Sequence, residues 1–95
     1  MMLLTTTEHV VGYTIQKYCD VVFGEMMGFV EGLVDVAMDE TELSDIREAA
    51  YLEMCMKASD LDANGIIGIR VHYQLLACGK VFVSCCGTAV KIEKA

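Results

Sequence analysis

Between Asp39 and Leu61 the apolar residues recur at every third or fourth position, and this one stretch dictates the architecture around it. Leu43, Ile46, Ala50, Met54, Ala58 and Leu61 form one stripe, the spacing that lines up side chains on a single helix face and turns that face toward a core. Asp39 stands three residues before Glu42, the relation of a capping box with aspartate as its first member. Leu52, Cys55 and Met56 lie off the stripe, so the second half of the helix has a second apolar flank. Glu53 and Lys57 make a favourable i,i+4 pair on the wet side.

On both sides of this helix the period falls to two. Leu3 to Thr6 and Tyr13 to Phe23 are rich in β-branched and aromatic residues and read as two strands joined around Gly12, the second ending near Gly24-Glu25. Tyr13, Ile15, Lys17, Cys19, Val21 and Phe23 share one parity, which makes that face apolar except at Lys17. From Met26 the alternation fails, and Phe29, Val30, Leu33, Val34 and Ala37 predict a short helix weakened by Gly28 and Gly32. After the long helix, Asn64-Gly65 offers a left-handed exit, and Ile66 to Leu76 with Val81 to Ile92 read as a hairpin around Cys78-Gly79. A two-residue loop sets His72 opposite Cys85 and Arg70 opposite Gly87; a one-residue change of register sets His72 opposite Cys86. The expected fold class is α+β: a single domain over residues 1–95, with an antiparallel sheet (β-β-α-β-β, the short helix aside) covered on one face by the long helix.

Such a domain has little room for apolar residues, because a chain of this size buries only about 60–65% of the surface its unfolded form exposes. Hydrophobic residues nevertheless make up 55% of it. Trading its 4 tyrosines for its 8 glycines in that count still leaves the share above the roughly 45–50% of soluble domains. The most apolar run, Met26 to Met38, is interrupted by Glu31 and Asp35 and falls short of the ~20 residues a bilayer span needs. The surplus therefore points to a protein partner, and self-association is the default reading.

A net charge of −7 repels phosphate backbones, and the 7 basic residues form no run that could track a nucleic acid. The N-terminal Met1-Met2-Leu3-Leu4 lacks the basic and long apolar regions of a secretory signal. Cys19, Cys55, Cys78, Cys85 and Cys86 are odd in number and without CxxC spacing, which suits reduced thiols and a cytoplasmic location.

Two blocks of residues resemble a known family. Thr5-Thr6-Thr7, Gly12, Ile15 and Tyr18-Cys19-Asp20-Val21-Val22-Phe23-Gly24-Glu25 are similar to the opening of the small bacterial YbjQ-like proteins. Ala63-Asn64-Gly65-Ile66-Ile67-Gly68-Ile69, then Tyr73, then Gly87-Thr88-Ala89-Val90, resemble that family's helix exit, central strand and C-terminal strand in order and spacing. The resemblance implies a compact subunit assembled into a ring-shaped homo-oligomer, typically a pentamer. It also brings the label of a heavy-metal-binding domain, a suspected role, and no catalytic residues. Two departures stand out: Arg70 and His72 occupy a strand in which the family commonly carries acidic residues, and the segment between Glu25 and Leu43 is shortened.

Thiolate and imidazole are the ligands that soft or borderline divalent metals prefer, so His72, Cys78, Cys85 and Cys86 on the hairpin form a candidate metal set. Successive strand residues face opposite ways, so Cys85 and Cys86 share one site only through a bulge or another subunit. A symmetric ring would supply repeated copies of one ligand. The competing reading of the same cysteines is packing, since free cysteine behaves as a small buried hydrophobe. His9 beside Glu8 reads as a solvated surface pair. The methionines suit core or interface filling. Asp35, Asp39, Glu40, Glu42 and Asp45 lack EF-hand spacing and suit a helix N-terminus. No GxSxG, P-loop, HExxH or GxGxxG is present, and the expectation is a non-enzymatic binding or structural protein.

Overall fold

Among the described residues two long strands pair along most of their length and one helix packs across one side of them. A computed structural model describes residues 2–29 and 40–95, with residues 40–42 and 78 described by backbone alone. The elements run β1 (Leu3–Leu4), β2 (Tyr13–Phe29), α1 (Glu40–Asp60), β3 (Gly65–Leu75), a 3-10 turn (Ala77–Gly79) and β4 (Lys80–Lys94). The sheet order is β1-β3-β4-β2. β4 is antiparallel to both β3 and β2, whereas β1 runs parallel to β3. The sheet is thus mixed rather than wholly antiparallel, and β1 and β2, joined through Gly12, lie at its opposite edges.

The helical stripe packs as its period requires. Ala50, Met54 and Ala58 are fully buried against Val22, Ile66, Ile69, Val81, Val83, Cys85 and Ala89, with Leu43 and Ile46 partly buried beside them. Leu61 does not join them; it lies past the last helical turn and is exposed. Helix and sheet approach closely at Gly24, where a Cβ would lie 1.9 Å from the Ala50 carbonyl oxygen. Only a residue without a side chain admits the helix backbone there. The expected pair Lys57 and Glu53 meets at 3.1 Å on the wet side. The left-handed residue after the helix is Asp62 (φ 61) rather than Asn64 or Gly65. Asn64 instead ties the helix exit to β4, a use of its amide that the turn reading overlooked.

β2 continues to Phe29, past the expected stop at Gly24-Glu25, because Met26 to Phe29 pair with Val83 to Lys80. Those four residues are therefore strand and not the start of a short helix; the remainder of that expected helix, and the Asp39 cap, lie outside the described residues. Nor does one parity hold from Tyr13 to Phe23. Register shifts at Gln16 and at Cys19 put Tyr13 and Ile15 level with the even-numbered face of β4, move Lys17 to the other side, and return Val21 and Phe23 to the even face. A bulge inserts one residue into one strand, and each insertion inverts the side-chain alternation beyond it.

Candidate functional site

Bulges decide which residues stand on the side of the sheet away from α1. In β3 the register slips between Ile67, opposite Thr88, and Arg70, opposite Cys86. Without that slip Arg70 would oppose Cys85 and point into the helix-covered core. The extra residue is accommodated at Gly68, whose φ of 61 lies in the left-handed region that glycine enters without strain. Its role is conformational, since a Cβ there would meet nothing within 4 Å. The Cys19 bulge of β2 flanks the same stretch of β4 from the other side, between Tyr18 opposite Val90 and Asp20 opposite Ala89.

Between these two bulges lies a cleft of about 420 Å³, lined by Thr6, Glu8, His9, Tyr18, Ile67, Gly68, Arg70 and Thr88. The threonine run forms its rim. Thr5 N–H donates to the Ile66 carbonyl at 3.0 Å, Ile69 N–H to the Thr5 carbonyl at 3.1 Å, and Gly68 N–H to the Thr7 carbonyl at 2.9 Å, so the loop clamps the bulged backbone. Thr7 Oγ1 donates its single proton to the His9 carbonyl at 2.6 Å. Thr5 Oγ1 must then be the donor in its 2.7 Å bond to Thr7 Oγ1. Two of the three hydroxyls are spent organising the loop, and the middle one, Thr6, lines the cleft.

The hairpin register differs by one from the expected count. Leu75 opposes Val81 across the 3-10 turn, with Leu76 N–H donating to the Lys80 carbonyl at 2.8 Å. His72 therefore opposes Ser84, not Cys85 or Cys86, and Arg70 opposes Cys86, not Gly87. His72 and Cys86 share the open face as diagonal neighbours, a relation of about 7–8 Å between strands. Cys85 is buried on the helix side, its thiol donating to the Gly24 carbonyl at 3.5 Å. Cys78 sits in the 3-10 turn, and its side chain is outside the described residues. Among the described residues no three His, Cys, Asp or Glu side chains gather closely enough to hold an ion. Burial pushes the Cys85 and Cys55 thiols above their ordinary range, opposite to what a metal-ready or nucleophilic thiolate needs.

In the sequence His9 beside Glu8 has the pattern of a solvated pair, and Thr6, Tyr18 and Thr88 belong to no catalytic or ligand motif. Gly68 inside a strand was the available signal, because an isolated strand glycine marks a bulge.

The fold is shared beyond this chain. A family model described as "Putative heavy-metal-binding", that of the YbjQ proteins, matches residues 2–93. The chain belongs to the YbjQ family. A UPF0145 protein of Listeria innocua is 34% identical, over 97% of this chain and 96% of its own length. A UPF0145 protein of Bifidobacterium longum is 33% identical over 99% and 98%. The Listeria alignment runs to 106 residues against the 95 of this YbjQ chain, so that relative carries residues this one lacks. A crystal structure of a DUF74-family protein of unknown function from Pediococcus pentosaceus superposes with a TM-score of 0.75 at 24% identity, covering 97% of this chain and 98% of that one. It shows the α+β fold to be common to both. Among the described residues no helix is long and apolar enough to cross a membrane.

Proposed function

We propose that this YbjQ protein is a non-enzymatic, cytoplasmic binding or structural subunit that works as a homo-oligomer, a pentameric ring in keeping with the family resemblance. The observation that carries this reading is the unguarded half of β2. β2 is an edge strand, and its first half is blunted by the two bulges, whereas Asp20 to Phe29 pairs in unbroken register with β4. A long regular edge is a template for another strand. Along that half Val21, Phe23, Met27 and Phe29 each leave more than half of their surface exposed on the open face, Phe29 as much as 67%.

A second edge complements it. Beyond Ile69 the outer side of β3, Arg70 to Leu75, has no strand partner among the described residues. Joining β2 of one copy to β3 of the next is a heterologous contact, the kind that closes into rings. The radius of gyration, 15.2 Å, also exceeds the about 12 Å of a compact chain of this length, as expected of a subunit whose strands reach beyond its own core.

Light scattering on the purified protein tests this reading. A pentamer that dissociates in Phe23→Glu and Phe29→Glu is the expected result; a monomer at micromolar concentration overturns it. The family description favours one further reading, a soft or borderline divalent metal held by His72, Cys86 and Cys78 with ligands from several copies, Cys85 being out of reach. Stoichiometric zinc or copper that disappears in His72→Ala and Cys86→Ser supports it, and metal content unchanged by both sets it aside.

A further inference from the structure

We infer that the cleft between the two bulges binds a small monocarboxylate bearing its own hydrogen-bond donor, an amino acid or a 2-hydroxy acid. Of the cleft residues only Arg70 also belongs to the β3 edge of the assembly reading, and that edge pairs through backbone groups rather than through the guanidinium. Its size falls within the range of small-molecule sites, about 300–1,000 Å³. The lining is polar: Thr6, Thr88 and Tyr18 bring hydroxyls, His9 an imidazole, and Arg70 a planar guanidinium. Arginine's fork of donors matches a carboxylate with two parallel bonds. No ion pair occupies Arg70 among the described residues.

Fold geometry is spent on bringing that guanidinium here. The slip at Gly68 turns Arg70 from the core side to the open side, and the Cys19 slip sets Tyr18 level with Val90 on the same side. Bulges recur beside functional sites because they re-aim single side chains in this way. The rim is held rigid by the hydrogen bonds from Gly68 and Ile69 to the threonine loop. A preformed rim lowers the ordering cost of binding.

Glu8 narrows the ligand. A carboxylate accepts hydrogen bonds and gives none, so the occupant must present it with a donor, an ammonium or a hydroxyl. It also counts against dianions such as phosphate, as does the chain's net charge of −7. One carboxylate for Arg70 and one donor for Glu8, on a molecule small enough for the cleft, is the chemistry of amino and 2-hydroxy acids.

Titration of the full-length protein by amide NMR with the common L-amino acids, the corresponding 2-hydroxy acids, succinate and inorganic phosphate tests this. Expected are saturable shifts at Thr6, Gly68, Arg70 and Thr88, one ligand per chain, with either acid series; which series binds identifies the donor. Arg70→Gln and Glu8→Gln, both exposed and compatible with folding, are each expected to weaken binding by at least about tenfold. Absence of binding by both acid series, binding indifferent to Arg70→Gln, or preference for succinate or phosphate strengthened by Glu8→Gln would each overturn the assignment. Phe23→Glu, which tests assembly, leaves the cleft residues in place, so a monomer that still binds separates the two readings.

Discussion

Asn64 holds Ile92 by both of its backbone groups: Nδ2 donates to the Ile92 carbonyl at 2.9 Å, and Oδ1 accepts from the Ile92 N–H at 2.7 Å. The same residue accepts from Leu3 N–H at 3.0 Å and donates its own N–H to the Val90 carbonyl at 3.1 Å, so the helix exit, β1 and the end of β4 meet at one side chain and its backbone. Asn64→Ala removes both side-chain bonds and leaves partly buried groups of Ile92 unpaired, a loss of about 2–3 kcal/mol. Asn64→Asp is no rescue, because a carboxylate oxygen then faces the Ile92 carbonyl. Urea unfolding of the two variants against the parent checks both expectations.

The approach of α1 at Gly24 gives a second expectation. Gly24→Ala drives a methyl into the Ala50 carbonyl, a backbone atom that moves only with the helix, and costs about 3 kcal/mol or more. Gly28→Ala is the control. Its Cβ would lie 2.6 Å from Ile46 Cδ1, the free end of a side chain that can rotate aside, at about 1 kcal/mol. Equal destabilisation of the two variants in thermal unfolding would show that the helix does not bear on Gly24 as described.

Whatever depends on local period was legible in the sequence, and whatever depends on strand partners was not. The stripe through Ala50, Met54 and Ala58 is a property of one segment and packs as read. Parallel pairing of Leu3 with Gly65 joins residues far apart in the chain, and neither segment's pattern encodes it. Met26 to Phe29 suits either period in isolation; pairing with β4 makes it strand. His72 missed Cys85 by one position because Ala77 to Gly79 form a 3-10 turn where a two-residue loop was counted. The cleft was hidden for a related reason: only after the Gly68 slip does Arg70 share a face with Thr88 and Tyr18, and a strict alternation hides it.

Alkaline pH tests the buried thiols. Burial raises Cys85 and Cys55 above the ordinary 9.0 and the Tyr51 phenol above the ordinary 10.0. In the unfolded chain these groups lose their protons at ordinary values, so above that range the folded state binds more protons than the unfolded one. The stability they contribute is complete below pH 9.0 and is lost as pH rises through their raised folded values. Denaturant unfolding under reducing conditions is expected to show stability falling across this alkaline window, with a shallower fall in Cys85→Ala. Alkylation provides a second readout: Cys85 should react slowly in the folded protein and at an ordinary rate once unfolded.

The second apolar flank of α1 separates self-contained stability from assembly. Leu52 and Met56 are more than 60% exposed on the helix, whereas Met54 between them is fully buried. Met54→Ala leaves a void in the core between helix and sheet and is expected to cost about 2–5 kcal/mol. Leu52→Lys and Met56→Lys touch no core and should each shift unfolding by no more than about 0.5 kcal/mol. If the flank packs against a neighbouring copy, the lysine variants lower the oligomer mass in light scattering while leaving the unfolding of a dissociated chain unchanged. If both mass and unfolding stay unchanged, this flank takes no part in assembly, and the proposed assembly rests on the open half of β2 and the outer edge of β3 alone.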